Sequence, residues 1–170
     1  SRQENQPFSA IPMLKPGNPA PSFDCSAVVD HEVVELNWSQ VHEGRTLVLQ
    51  FDSIENYTAA PDDLVALNHS VGDFERHQAK VAVVCGDHIF EILDRAIRCA
   101  DEEGSGEIEF PIIVDSDAQI ASMYDMLTAD GCALWGQVII DPVGRIRKIA
   151  MSSFHVSPNV DELMRCVASI

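Results

Sequence analysis

Cationic residues are scarce in this chain: 11 Lys and Arg stand against 27 Asp and Glu, for a formal net charge of −16. Such a surface repels a phosphate backbone and an anionic leaflet, so neither nucleic acid nor a membrane is expected as a partner. Long apolar runs are missing too, and none approaches the roughly 20 residues that cross a bilayer. No basic-then-apolar leader opens the sequence. The five cysteines, at 25, 85, 99, 132 and 166, form no CxxC pair and no zinc-ligand spacing. They read as reduced and mostly buried thiols, which favours a reducing, cytoplasmic setting. The histidines at 31, 42, 69, 77, 88 and 155 make no HxxxH or HExxH pattern and are expected on the surface. Gly104-Ser105-Gly106 lies among acids with no basic residue behind it, unlike a phosphate-cradling loop, and no GxSxG elbow occurs. Neither a metal nor a cofactor is called for.

What is present suits one folded domain. The chain has 170 residues, 46% of them hydrophobic, enough for a substantial core. Residues 1–16 carry Pro7, Pro12 and Pro16 among polar residues and read as an extended or disordered lead-in, leaving 17–170 as the domain. Ala27-Val28-Val29 and Val33-Val34-Glu35-Leu36 flank Asp30-His31 as a strand pair, and Leu47-Val48-Leu49-Gln50-Phe51 reads as a buried central strand. Pro61 opens a helix, with Asp62 and Asp63 in its first turn and Leu64, Leu67, Val71 and Phe74 on its buried face. Val81 to Cys85 form the next strand, and Phe90, Leu93 and Ile97 mark a second helix. An acidic, solvated loop is expected from Asp101 to Glu109. Ile112-Ile113-Val114 is a strand, followed by a helix through Ile120, Met123, Tyr124 and Leu127. Gln137–Ile140 and Arg145–Ile149 flank Asp141-Pro142-Val143-Gly144 as a hairpin, and a last helix runs from about Pro158 through Leu163 and Val167. Alternating units of this kind give an α/β domain, a mixed sheet flanked by helices.

Several segments in order, Gly17-Asn18-Pro19-Ala20-Pro21-Ser22-Phe23, Gly44 to Phe51, Ile112 to Asp115, Ile139 to Arg147 and Val160-Asp161-Glu162-Leu163, give the chain its family likeness. From Gly17 to the last residue it resembles a peroxiredoxin of the typical two-cysteine type, in the alkyl hydroperoxide reductase and thiol-specific antioxidant family. The resemblance implies a thioredoxin-like fold and, in active members, a thiol peroxidase. Their site follows the central strand as Pro-x-x-x-Thr-x-x-Cys, usually followed by Pro. The cysteine sits in the first turn of a helix because helix N–H groups and a nearby arginine lower a thiol pKa from about 8.5.

Here that stretch reads Ser53-Ile54-Glu55-Asn56-Tyr57-Thr58-Ala59-Ala60-Pro61. Registered on Pro61, Ser53 takes the place of the motif proline, Tyr57 that of the threonine and Ala60 that of the peroxidatic cysteine. No cysteine lies between Cys25 and Cys85, so no shift of frame restores it. Trp135 stands where the family's supporting arginine is expected. Tyr57 and Trp135 either fill the former cleft as core or form a recognition surface. Arg147 matches a second family arginine and is equally explained by surface pairing. Cys166 lies within the last helix at a usually apolar position, a poor place for a resolving thiol, and the C-terminal arm of two-cysteine members is absent from this sequence.

The resulting expectation is a degenerate peroxiredoxin-like domain that binds other proteins, with a homodimer through the edge strand Arg145, Ile146, Arg147, Lys148, Ile149, Ala150 and Met151. The alternative is an enzyme or redox sensor using another thiol. Cys85, at the carboxyl end of a parallel-type strand before Asp87 and His88, is the first candidate, and Cys132 beside Gly131 is the second.

Overall fold

The computed structural model describes residues 13–52, 61–101 and 106–170. Two short strands, β1 (Cys25–Val29) and β2 (Glu32–Leu36), are joined by Asp30 and His31, both at positive φ, as a tight hairpin turn requires. Next come α1 (Trp38–His42), β3 (Thr46–Asp52), α2 (Pro61–His69), α3 (Val71–Arg76), β4 (Ala79–Cys85) and α4 (Ile89–Asp101). The chain continues through β5 (Ile112–Val114), α5 (Gln119–Met123), β6 (Trp135–Ile140), β7 (Ile146–Ser152) and α6 (Val160–Val167). The strands form one mixed sheet in the order β2-β1-β5-β4-β3-β6-β7. β4 runs parallel to both of its neighbours, whereas β3 meets β6 antiparallel.

Strand alternation divides the core in two. Val48, Val81, Val83, Ile112 and Ile139 face one side, where α2, α3, α4 and α6 supply Leu64, Leu67, Phe74, Ile92, Ala96, Leu163 and Val167. Leu47, Leu49, Phe51, Ala82, Val84, Ile113 and Val138 face the other, against Val41, Ile120, Tyr124 and Met126. Every residue of β3 is buried, as a central strand covered on both faces should be. Attachment of the chain begins early: the Leu14 N–H donates to Asp125, and Leu14 packs on the second cluster.

The helices depart from the sequence reading in four places. The single helix expected from Pro61 through Phe74 is two, broken at Ser70, whose hydroxyl donates to the Ala66 carbonyl at 3.0 Å. In α4 the buried stripe is Ile92, Ala96 and Cys99, so Phe90 and Ile97 are exposed and the expected face is rotated. The helix expected from Ile120 to Leu127 is a short α5, where Met123 is exposed while Tyr124 and Met126 are buried. Unforeseen α1 is set by a reciprocal cap in which Asn37 accepts from the Gln40 N–H and Gln40 accepts from the Asn37 N–H. The acidic stretch before β5 is not wholly solvated: Ile108 is buried, and Asn68 bonds the Glu107 carbonyl and the Glu109 N–H.

β7 ends the sheet, but its first residue is covered. The Ile146 N–H donates to the Asn18 carbonyl at 2.9 Å and its carbonyl accepts from the Gly17 N–H at 2.7 Å. Arg145 adds a bond to the Gly17 carbonyl at 3.0 Å. The edge expected to pair from Arg145 onward is therefore occupied at Arg145 and Ile146, and starts at Arg147.

Gly136 sits between β3 and β7 at φ +156°, and a Cβ there would fall 1.9 Å from the Ala150 carbonyl oxygen. Gly136→Ala is expected to lower unfolding free energy by about 3 kcal/mol or more. Gly144→Ala, at φ +87° in open space, should cost about 1 kcal/mol. Urea unfolding of the two variants checks this, and equal losses would contradict it.

Candidate functional site

The carboxyl ends of β3 and β4 lie side by side, with Asp52 opposite Cys85 in the parallel register. Open α/β sheets place their sites at this end. Arg95 reaches in from α4 and is only 4% exposed. Its Nη2 lies 3.4 Å from Asp52 Oδ2, and its Nη1 lies 3.6 Å from Asp87 Oδ2 and 3.8 Å from Cys85 Sγ. The Cys85 thiol donates to Asp87 Oδ2 at 3.0 Å. Both carboxylates are buried, and Oδ1 of each has no hydrogen-bond partner among the described residues.

A guanidinium can satisfy a carboxylate, yet burial penalises every charge in the cluster. Burial pushes Asp52 up to about 6, against the opposing pull of Arg95, and Asp63 and Asp87 add to the rise. The Cys85 thiol is also driven far above its ordinary range, first by burial and then by Asp87. Cys85 is thus a protonated donor with 1% exposure, the reverse of what a peroxide-attacking thiol needs. The expectation that made it the first alternative nucleophile is corrected on these grounds.

A second group adjoins the first. His155, after β7, holds Nε2 2.6 Å from Oδ2 of buried Asp63, and its ring meets Trp135 edge-on at 4.6 Å between centroids. Trp135 is buried and also borders the groove beside β7, while Tyr57, the other aromatic of that reading, lies outside the described residues. Three histidines depart from the expected surface placement. His31 and His155 are half-buried, and His42 is buried against Trp38, with its Nε2 2.8 Å from the Asp141 carbonyl oxygen.

Ser53, Tyr57 and Ala60 lie outside the described residues, so the motif register is a statement about sequence. Cys132 is half-buried in the turn between α5 and β6, where its N–H donates to Thr128 Oγ1 at 3.0 Å. None of the five cysteines is in a disulfide, and Cys25, Cys85 and Cys99 are buried. Arg147 pairs with the buried Asp141 carboxylate at 3.5 Å. Among the described residues, no group of three or more His, Cys, Asp and Glu is arranged to hold a metal ion. Nor is any helix among them long and apolar enough to cross a membrane.

Sequence reading missed Asp52 and Arg95. The available signals were a carboxylate ending an apolar strand and an arginine three residues after Ile92, in phase with the true buried stripe of α4.

The raised Asp52 gives a pH prediction. A carboxyl with a folded pKa near 6 and an unfolded value near 4 binds a proton more tightly in the folded state. Stability from this group is therefore greatest at low pH and falls as pH rises through that window, by at most about 3 kcal/mol. Urea unfolding between pH 4 and 7 should show a shallower decline, or a steeper gain, for Asp52→Asn than for the parent chain. Identical slopes would contradict the assignment.

Comparison with known proteins places this arrangement. Residues 16–149 match the AhpC/TSA family. The chain is 32% identical over 152 residues to peroxiredoxin prdx-2 of Caenorhabditis elegans, covering 89% of this chain and 75% of that protein. It is also 32% identical over 149 residues to peroxiredoxin TSA1 of Saccharomyces cerevisiae, covering 87% and 76%. The solved mitochondrial 2-Cys peroxiredoxin of Plasmodium falciparum superposes with a TM-score of 0.79 at 24% identity, over 91% of this chain and 93% of that one. The mixed sheet and its flanking helices are thus the thioredoxin-like fold of peroxiredoxin type, and the chain belongs to the AhpC/TSA family, the peroxiredoxins.

Proposed function

We propose that this chain is a peroxiredoxin that has lost peroxidase turnover and acts as a binding or structural module, paired with a second copy of itself. One observation carries the reading: Ala60 stands at the register of the peroxidatic cysteine, and no cysteine occurs from 26 to 84. Trp135 at the register of the supporting arginine adds to it, because an indole donates one N–H and carries no charge to stabilise a thiolate. Buried, protonated Cys85 offers no replacement. Five free thiols agree with a reducing compartment, which belongs to the same reading.

The partner surface is the open part of β7. Beside it lies a groove of about 480 Å³ bordered by Trp135, Ala150, Met151, Phe154 and Val156. Phe154 is 68% exposed, and Met151 and Val156 are also exposed. An unpaired strand edge next to exposed apolar side chains favours a second strand edge with the same side chains, and a two-fold copy supplies both.

Peroxide consumption in the presence of a thiol reductant tests the first part. The purified chain should show no rate above the uncatalysed reaction, and the Ala60→Cys, Trp135→Arg double variant should gain one. Turnover by the parent chain that disappears in Cys132→Ser would overturn the reading. For the second part, sedimentation at micromolar concentration should give a two-chain mass, and Met151→Arg with Phe154→Arg should shift it to one chain. A one-chain mass for the parent at that concentration would count against the dimer.

A further inference from the structure

A nucleophilic pair outside the site lies further along the same face of β7, towards α6. The hairpin register slips between Ile139 and Ile140, so Ile140 pairs with Ile146 and Ile139 with Lys148. Arg147 is the extra residue of this bulge, and the slip turns Lys148 to the face of Ile139, where α6 packs. On α6, Glu162 and Cys166 are one turn apart and share a surface. Arg165 takes up Glu162 through two bonds, of 3.0 Å from Nε and 2.7 Å from Nη2. Lys148 Nζ then lies 3.2 Å from Glu162 Oε1 and 3.4 Å from Cys166 Sγ. Sγ is 3.7 Å from Glu162 Oε1.

Among the described residues this is the one cysteine whose sulfur accepts from a lysine ammonium. Cys166 is half-buried. A small void of about 50 Å³ lies beside the pair, bordered by Lys148, Glu162 and Leu163. Glu162 is also held by Arg165, so Lys148, Cys166, Glu162 and Arg165 form one contiguous group across β7 and α6. Pairing with Glu162 and Cys166 holds the Lys148 ammonium above its ordinary pKa, so the second step draws on a minor, neutral amine form and is the slow one.

We infer that Lys148 and Cys166 are a peroxide-responsive cross-link site that joins β7 to α6 by a sulfur–nitrogen bond. In the first step the Cys166 thiolate attacks a hydroperoxide oxygen and the O–O bond breaks. Sulfur is oxidised by two electrons to a sulfenic acid, and the peroxide is reduced to water or an alcohol, taking one proton from solvent. In the second step Lys148, having released a proton to solvent, attacks the sulfur through its amine. The S–N bond forms, the S–O bond breaks, and hydroxide leaves with the amine's second proton as water. That step leaves the sulfur oxidation state unchanged. Sulfenic acids condense with a backbone nitrogen to a sulfenamide, and the Lys148 nitrogen, at 3.4 Å, is placed for the same condensation through a side chain. A thiol reductant returns both side chains by attack on sulfur. The event happens once per chain, so it is separate from catalytic turnover and does not depend on the binding reading.

The test treats the full chain with hydrogen peroxide and maps its peptides by mass spectrometry. The expected product joins the peptide containing Lys148 to that containing Cys166, lighter than their sum by two hydrogen atoms, and dithiothreitol releases it. Lys148→Arg keeps the cation but lacks the amine, so it should form a dimedone-reactive sulfenic acid at Cys166 and no link. Lys148→Met, which removes the amine altogether, should likewise give the sulfenic acid at Cys166 and no link. Circular dichroism of both variants, compared with that of the parent, excludes loss of fold as the cause. Recovery of Cys166 as a free thiol, or as a sulfinic acid with Lys148 unmodified, would overturn the inference.

Discussion

A guanidinium buried at the end of a sheet cannot be left alone. Arg95 is taken out of water by α4 and the strands beneath it, and its charge has to be met where Asp52 and Asp87 stand. Removing one partner of such a buried pair costs about 3–5 kcal/mol, so each member holds the others in place. Cys85 is drawn into the same constraint. It gives its proton to Asp87 in a hydrogen bond and lies among groups that oppose a negative sulfur. The end of the sheet where open α/β folds place chemistry is thus occupied by a structural charge cluster that disfavours a thiolate.

The same constraint extends towards Trp135. Asp63 stands close enough to raise the Asp52 pKa, and it holds His155, whose ring packs against Trp135. The region is therefore continuous from β4 to the segment after β7, and its residues are acidic, aromatic or engaged. A peroxide site needs a free cation beside a thiol. Here the buried cation is engaged by carboxylates and the buried thiol by a carboxylate.

Strands were legible because burial on both faces leaves continuous apolar runs: Leu47 to Phe51, Val81 to Cys85 and Ile112 to Val114 all fall where expected. The hairpin at Asp141 was legible through its turn chemistry, with the Asp141 carboxylate accepting from the Val143 and Arg145 N–H groups. Helix faces were less so. In α4, Phe90, Leu93 and Ile97 make a plausible stripe, but the face buried in the core is that of Ile92, Ala96 and Cys99. That choice belongs to tertiary packing. Misplacing the face also hid Arg95, since a charged residue appears to lie safely outside once the wrong side is taken as buried. The pair Lys148 and Cys166 was hidden for another reason. A one-residue bulge decides which way Lys148 points, and a register slip is set by the pairing of two strands.

Charge and backbone pairing together explain why β7, of the two sheet edges, is suited to association. β2 carries Glu32 and Glu35, both exposed, and in a chain of net charge −16 two such edges repel. β7 begins under cover of Gly17 and Asn18, which leaves open the stretch after Ile146. That stretch bears Arg147 and Lys148, each matched within the same chain, by Asp141 at 3.5 Å and by Glu162 at 3.2 Å. The open edge is consequently near neutral in a strongly acidic molecule, and in the proposed dimer two copies would meet there against less repulsion than at β2, through backbone groups and the Met151 and Phe154 side chains.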